Sequence, residues 1–190
     1  MSQETINELF EKCVRLQGTA YLQAEGALVA QGDAALEFLQ TQQETSPDQF
    51  VRLLASVLAQ SIQGNASLFQ QALTYMDAHE AKNEGTQVVT PRSDSIAADL
   101  YHLFGKNVAS FLAVRLAKEP EWPQWKVASV THYLSLANEP EALPALARFE
   151  AENKKPHYAH LIELARQPSD PASMERTKLV DPTEDRRNRR

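Results

Sequence analysis

Apolar residues recur along this chain at spacings of three and four positions, the period of amphipathic helices. The first three stripes predict helices from Ser2 to Gln17, from Thr19 to Gln31 and from Asp33 to Glu44. Further stripes predict seven more helices, centred on residues 50–62, 68–76, 96–104, 108–116, 127–137, 143–147 and 158–165. The pattern therefore predicts an all-α fold of about ten helices.

Polar signals place some helix starts more closely than the stripes do. In Ser46-Pro47-Asp48-Gln49, Ser46 suits the N-cap, Pro47 the first helical position and Gln49 the closing position of a capping box. Asp33 is the expected cap of the third helix. The segment Asn138-Glu139-Pro140-Glu141 has the form of another capping box, which would open the ninth helix. The pair Gly64-Asn65 predicts the break between the fourth and fifth helices.

The stripes also predict which side chains face the core. Leu54 and Leu134 lie in the middle of their stripes, so we expect both to be buried. The same phase predicts that Leu103, Leu143 and Ala147 face inward.

Two segments lack the helical period. Residues 81–92 are predicted to form a loop. From Pro168 onward three prolines appear among polar residues, a composition typical of a disordered tail, and the chain ends in the basic run 186–190. We therefore expect a single helical domain over residues 1–167 and a disordered tail over 168–190.

The predicted helices group into five antiparallel hairpins that begin near residues 2, 33, 66, 106 and 140. Their spacing of about 31 to 40 residues is that of helical repeat arrays. Because a hairpin cannot bury its apolar face alone, stacking on neighbouring hairpins is the simplest way to build a core.

The segment 138–146, Asn-Glu-Pro-Glu-Ala-Leu-Pro-Ala-Leu, is similar to the first helix of a HEAT repeat, and the resemblance extends over about residues 19–165. It implies a HEAT-like α-solenoid, a superhelix of stacked hairpins. Such a resemblance also implies an adaptor or scaffold that binds partners along a concave face. The alternative architecture is an irregular bundle of the same helices.

Composition supports the prediction of an all-helical protein. The chain has 26 Ala, 22 Leu and 15 Gln, which favour helices, but only four Ile and six Gly. A length of 190 residues fits one domain.

The net charge is −6, and residues 1–167 hold 20 acidic against 13 basic side chains. This balance disfavours nucleic acid and anionic membrane as partners and favours a basic protein. No apolar run is long enough to span a membrane, and the N-terminus lacks a secretory pattern, so we expect a cytoplasmic protein.

Few residues suggest chemistry. His157, His160 and Glu163 share one face of the tenth helix and have ligand types suited to zinc, but a solvent-exposed polar face is the favoured interpretation. Asp99 and His102 have acid–base composition without an accompanying nucleophile motif. We therefore predict no catalytic residues, no cofactor and no metal.

Cys13, the single cysteine, lies in the apolar stripe of the first helix. A thiol at such a position behaves as a small hydrophobic side chain. We therefore expect Cys13 to contribute to core packing.

Five residues are candidate contacts for a partner. Trp122 and Trp125 are the two tryptophans of the chain, and Glu119 and Glu121 lie beside them. Aromatic residues are enriched among interface hot spots, although such a pair can also fix one hairpin to the next, which is the favoured interpretation. Arg92 lies in the predicted loop, the other candidate contact surface.

Two functions are compatible with these features. The first is a non-enzymatic protein-binding module with an acidic surface: an adaptor, a regulatory subunit or a toxin-neutralising immunity protein. The second is an enzyme, or an accessory protein that handles a prosthetic group, with a polar site lined by His102, His132, His157 or His160.

Overall fold

A computed structural model describes residues 5–81, 93–153 and 156–169. These residues form ten α-helices and contain no strand, which confirms the predicted all-α fold. The helices are α1 (Ile6–Arg15), α2 (Gly18–Val29), α3 (Asp33–Thr45), α4 (Gln49–Gln60), α5 (Ala66–Ala81), α6 (Ser93–Phe104), α7 (Ala109–Lys118), α8 (Gln124–Ala137), α9 (Leu143–Glu152) and α10 (Pro156–Arg166). The predicted loop over 81–92 and the tail from residue 170 onward lie largely outside the described residues.

The N-cap of the fourth helix lies two residues later than predicted. Asp48, not Ser46, is the N-cap of α4, and its carboxylate accepts hydrogen bonds from the backbone N–H groups of Phe50 and Val51 at 2.7 and 3.3 Å. Ser46 instead ends α3. A carboxylate accepts such bonds more strongly than a hydroxyl and also favours the positive end of the helix dipole, so Asp48 is the better cap.

The two remaining cap predictions are also wrong. Asp33 is the first residue of α3, and the N-cap is Gly32, which has a positive φ of 56° and makes no side-chain cap. The segment 138–141 forms no capping box, because Asn138 is the left-handed C-cap of α8 and Pro140–Ala142 forms a 3-10 turn before α9. Sequence inspection missed a capping box that is present, in which Thr5 and Glu8 cap α1 reciprocally.

The observed start of α4 predicts different effects for two neighbouring substitutions. Asp48→Ala removes two hydrogen bonds from the first turn, so we expect the free energy of unfolding to fall by about 1 kcal/mol. Ser46→Ala removes no cap, and we expect a change within about 0.5 kcal/mol. Urea denaturation of both variants measures these changes in the free energy of unfolding. A larger loss for Ser46→Ala than for Asp48→Ala would show that Ser46 is the N-cap, as the sequence pattern predicted.

The predicted break at Gly64-Asn65 is confirmed as a kink. Residues Ser61–Asn65 form a π-helical turn between α4 and α5, and Gly64 has φ of 116°. An L-residue with a side chain rarely adopts that angle, so glycine allows the chain to change direction without a longer loop.

The centre of the protein is formed by α7 and α8. Eight of the ten residues of α7 and ten of the fourteen residues of α8 are buried. The helix α8 packs between α6 and α10, while α7 contacts α4, α8 and α9. Burial of Leu54 and Leu134 is confirmed.

The prediction is wrong for three residues that were expected to face the core. Leu103 and Leu143 are 55% and 43% exposed, and Ala147 is exposed as well. In α6 the buried face is centred between Ala97 and Phe104, which leaves Leu103 at its edge. At α9 the buried face is formed by Ala142, Ala145, Leu146 and Phe149, which leaves Leu143 and Ala147 outside it.

The chain still contacts α8 just after the end of α10. The backbone N–H of Ser169 donates to the Ser135 carbonyl at 3.2 Å, and the two hydroxyl oxygens lie 2.7 Å apart. Ser169 of the predicted tail therefore contacts α8, and the prediction for 170–190 lies outside the described residues.

Candidate functional site

Glu25 of α2 and Arg115 of α7 form an ion pair inside the protein. Arg115 Nη2 lies 2.7 Å from Glu25 Oε2, and the two side chains are only 12% and 10% exposed. Tyr21 Oη donates to the other Glu25 oxygen at 3.3 Å. The Arg115 guanidinium also lies 5.7 Å from the Tyr21 ring centroid and 5.1 Å from that of Phe111. The pair fixes α2 against α7 through hydrogen bonds, charge and ring contacts together.

Burial shifts the pKa values of Glu25 and Tyr21. It raises the pKa of the Glu25 carboxyl, although the positive charge of Arg115 opposes the shift. Burial also raises the pKa of the Tyr21 hydroxyl well above its usual value, and the Glu25 charge adds to that effect. Tyr21 therefore remains a hydrogen-bond donor across the physiological pH range.

Arg115 connects this pair to the predicted tryptophan site. Its Nη1 lies 3.4 Å from Glu119 Oε1, and the Trp122 indole N–H donates to Glu119 Oε2 at 3.1 Å. Lys126 Nζ lies 5.0 Å from the Trp122 ring centroid and 2.8 Å from Asp77 Oδ1. We call the connected side chains the charge network; they are Tyr21, Glu25, Asp77, Arg115, Glu119, Trp122 and Lys126.

The structure brings some of the predicted contact residues together and not others. Trp122 is 8% exposed and Glu119 is half-buried, so both are held inside the charge network. Trp125 is partly buried against the core, whereas Glu121 is exposed. Arg92 lies outside the described residues. Contact between these residues and a partner stays a prediction.

A further buried cation, Lys118, lies next to the charge network. Lys118 of α7 is 2% exposed, and its Nζ donates to the carbonyls of Val14 and Leu16 at 2.6 and 3.2 Å. These carbonyls are at the end of α1, where backbone acceptors lack partners within the helix. The ammonium group also lies 5.5 and 5.3 Å from the ring centroids of Tyr21 and Phe50. Lys118 therefore caps α1 from a helix about a hundred residues away in sequence.

Lys118 gives the stability of the protein a specific pH dependence. Burial, with the nearby charge of Arg148, lowers the Lys118 pKa to about 8 from its usual 10.5. Between these values the unfolded chain binds more protons at this group than the folded chain does, so its contribution to stability rises with pH. We therefore expect the free energy of unfolding of the wild type, relative to that of Lys118→Met, to rise by about 3 kcal/mol from pH 8 to 10.5. Urea titrations measure it, and a constant difference would show that the lysine is solvated.

Cys13 lies in the same region and has the predicted structural role. The side chain is fully buried in α1. Burial raises the thiol pKa to about 12, with a further contribution from the Glu25 charge. Such a thiol stays protonated and is not an activated nucleophile.

The candidate histidines that the structure describes do not form a recognisable metal or catalytic site. Asp99 accepts a hydrogen bond from the Tyr75 hydroxyl, while His102 is exposed. His160 and Glu163 are exposed on α10, and the side chain of His157 lies outside what the structure describes. Within the described part of the chain, no three His, Cys, Asp or Glu side chains could together hold a metal ion. His132 is half-buried on α8.

One surface groove lies between α3, α4 and the start of α9. It encloses about 290 Å³ and is lined by Gln43, Gln49, Arg52, Leu53, Ser56, Glu141 and Pro144. Sequence inspection did not select this groove, because its residues come from segments nearly a hundred positions apart. The pairing of Glu25 with Arg115 and the contacts of Lys118 with α1 were missed for the same reason, although Glu25 and Lys118 stand out as charges within apolar stripes.

Comparison with known protein families, with curated proteins and with solved structures finds no match to this chain. Within the described residues, no helix is both long enough and apolar enough to cross a membrane.

Proposed function

We propose that this protein is a non-enzymatic binding module that holds a basic protein partner on an acidic surface, as an adaptor, a regulatory subunit or a toxin-neutralising immunity protein does. The observation that supports this most is the excess of carboxylates among the exposed side chains that the structure describes. Charges of both signs also lie inside the protein: Lys118, Lys126 and Glu25 are buried, and Arg115 pairs with Glu25.

In the described part of the chain, exposed carboxylates outnumber exposed cations by eleven to four. Among the described side chains, the exposed cations are Lys12, Arg15, Lys106 and Arg166. The exposed carboxylates are Glu8, Glu11, Asp33, Glu37, Glu44, Asp48, Asp77, Glu121, Glu141, Glu152 and Glu163. Such a surface attracts a basic protein over several ångströms and accelerates its association at low salt.

The acidity is greatest in one stretch of the chain. Residues 16–81 contain a single lysine or arginine, Arg52. Within this stretch α3 carries no cation, and its carboxylates Asp33, Glu37 and Glu44 are all exposed. We therefore propose α3 as the main element of the acidic surface.

We also propose that the helices stack as a HEAT-like solenoid. Two features of the packing support this arrangement. Helices α1 and α2, and likewise α3 and α4, pack as neighbouring pairs, and from α6 onward alternate helices lie against each other, as α6, α8 and α10 do. Alternate packing of this kind is what stacked hairpins produce.

The experiment that tests the proposed function is capture of partners from the native cell lysate on immobilised full-length protein. Charge reversal at Glu37 and Glu44 changes two exposed side chains of α3. The matched control reverses Glu11 and Glu163, which are exposed on α1 and α10, and so has the same net charge. We expect wild type and control to retain one stoichiometric basic protein that elutes as salt is raised, and the α3 variant to lose it.

Two outcomes contradict the proposal. Equal capture by the α3 variant and the control would remove α3 as the binding surface. A stoichiometric metal or small molecule in the eluate, with no protein partner, would favour the histidine-lined site instead.

A further inference from the structure

The carboxylates of α3 lie along one stripe on the outer side of the helix. Asp33, Glu37 and Glu44 are four and seven residues apart, so their side chains leave the helix within about 40° of one another. Gln40 falls between them, and all four side chains are exposed, whereas the buried residues of α3 lie on the opposite side. We call these four side chains the α3 stripe, and at the helical rise it is about 17 Å long.

The α3 stripe has no cation of its own. Among the described residues, no ion pair involves any of its three carboxylates. Arg52 is the one lysine or arginine in residues 16–81, and its guanidinium donates to the Ser46 carbonyl at the end of α3. The charge of the stripe therefore selects a basic occupant.

The same chain carries a basic run that complements the α3 stripe. Residues 186–190, Arg-Arg-Asn-Arg-Arg, hold four guanidinium groups. Each guanidinium can donate two parallel hydrogen bonds to a carboxylate. Five residues in an extended conformation span about 17 Å, which is also the length of the stripe.

The run is close enough along the chain to reach the stripe. Ser169 is held against α8 through Ser135, and residues 170–185 join it to the run. This linker spans up to about 55 Å. Helix α10 packs on α9, α9 on α4 and α4 on α3. At about 10 Å for each packed pair, α3 lies roughly 30 Å from α10, well within the reach of the linker.

Attachment to the same molecule strengthens a contact that would otherwise be weak. Four arginines on their own give only a salt-sensitive attraction to carboxylates. A linker of this length supplies an effective concentration of about 1 mM, so a contact with a Kd of about 0.5 mM is occupied roughly two-thirds of the time.

We propose that residues 186–190 bind the α3 stripe of their own molecule and compete there with the basic partner. The arginines pair with Asp33, Glu37 and Glu44, which are the exposed carboxylates that the partner would use. This inference rests on the proposed acidic surface of α3 and adds its regulation, an autoinhibitory contact that the partner must displace.

The test places a spin label on Thr183→Cys in the full chain and measures the broadening of backbone amide signals. Cys13 is fully buried, so the label reacts at position 183. We expect the amides of Glu37 and Gln40 to broaden more at low salt than that of Glu163, although Glu163 lies on α10, directly before the linker. We expect this broadening to fade as salt is raised.

Two double substitutions remove the same charge from different parts of the segment that follows α10. Arg186→Gln with Arg187→Gln should reduce the broadening at Glu37 at least about twofold. It should also tighten binding of the captured partner about twofold, since release of a surface that is two-thirds occupied gains at most about threefold. Arg176→Gln with Lys178→Gln is the matched control and should change either quantity by less than about a fifth.

The remaining outcomes overturn the contact or separate it from the proposed function. Broadening that is strongest at Glu163, or equal loss in the two double variants, would show that the run does not bind the stripe, while the acidic surface would stand. Broadening of α3 amides in label-free molecules mixed with spin-labelled ones would assign the contact to a second copy and overturn the proposal. Unchanged partner affinity would overturn the competition. Broadening at Glu37 with no basic partner in the lysate would contradict the proposed function alone.

Discussion

Arg115→Met is expected to lower the free energy of unfolding by about 3–5 kcal/mol, the usual cost of leaving one member of a buried ion pair without its partner. Glu25 would keep its carboxylate in a site that is 10% exposed, with the Tyr21 hydroxyl as its remaining donor. The substitution also removes the cationic contacts with Tyr21 and Phe111. Chemical denaturation at pH 7 measures the loss.

The pH dependence of that loss distinguishes electrostatics from packing. Burial already raises the Glu25 pKa in the presence of Arg115, and without the arginine it rises further. Because the protonated carboxyl is tolerated better in this site, the penalty of Arg115→Met should be smaller at pH 5 than at pH 8. Glu25→Gln in the same chain should recover part of the stability. A loss below about 1 kcal/mol at both pH values would mean that water reaches the pair.

Leu54→Ala is expected to lower the free energy of unfolding by about 2–5 kcal/mol. Leu54 is fully buried in α4, which packs against α3, α7 and α9, so its removal leaves a cavity that several helices would have to close. Leu134→Ala in α8, at 3% exposure, should cost a similar amount.

Leu103→Ala is the control for these two substitutions. Leu103 is 55% exposed, so its truncation should change stability by less than about 0.5 kcal/mol. A change under that limit at Leu54 or Leu134 would contradict the orientation of the corresponding helix.

Helix existence could be predicted because it depends on local pattern. A stripe such as Phe50, Leu54, Val57 and Leu58 has the helical period, and all four side chains are buried. Helix starts were less predictable, since two neighbouring residues can each cap a helix. Around residue 46 both Ser46 and Asp48 have suitable side chains, and the carboxylate of Asp48 is the stronger hydrogen-bond acceptor of the two.

The extent of burial in α8 could not be derived from its stripe. Val127, Val130 and Leu134 predict one inward face, yet α8 is buried on nearly all sides. Its polar residues are accommodated because Ser129 and Thr131 donate to carbonyls of their own helix, at 2.9 and 3.0 Å. Such local hydrogen bonds let a sequence with serine and threonine occupy the centre of a protein.

The charge network and the groove could not be predicted because both join distant segments. Glu25 meets Arg115, and Lys118 meets the end of α1, across about ninety to a hundred residues. The sequence shows that these charges occur within apolar stripes but not which of them face each other. Arg115, Glu119 and Trp122 are joined by local contacts at spacings of four and three residues, and the ion pair of Arg115 with Glu25 connects them to α2.

The acidic surface on α3 is tested most sharply by the affinity of the captured partner for three purified proteins across a salt series. These are wild type, the double reversal at Glu37 and Glu44, and the control reversal at Glu11 and Glu163. We predict that binding to wild type weakens steeply between low and moderate salt, that the control behaves similarly, and that the α3 variant loses at least tenfold in affinity at low salt. Salt-independent binding that is equal for all three proteins would contradict the proposal that an acidic surface centred on α3 holds a basic partner.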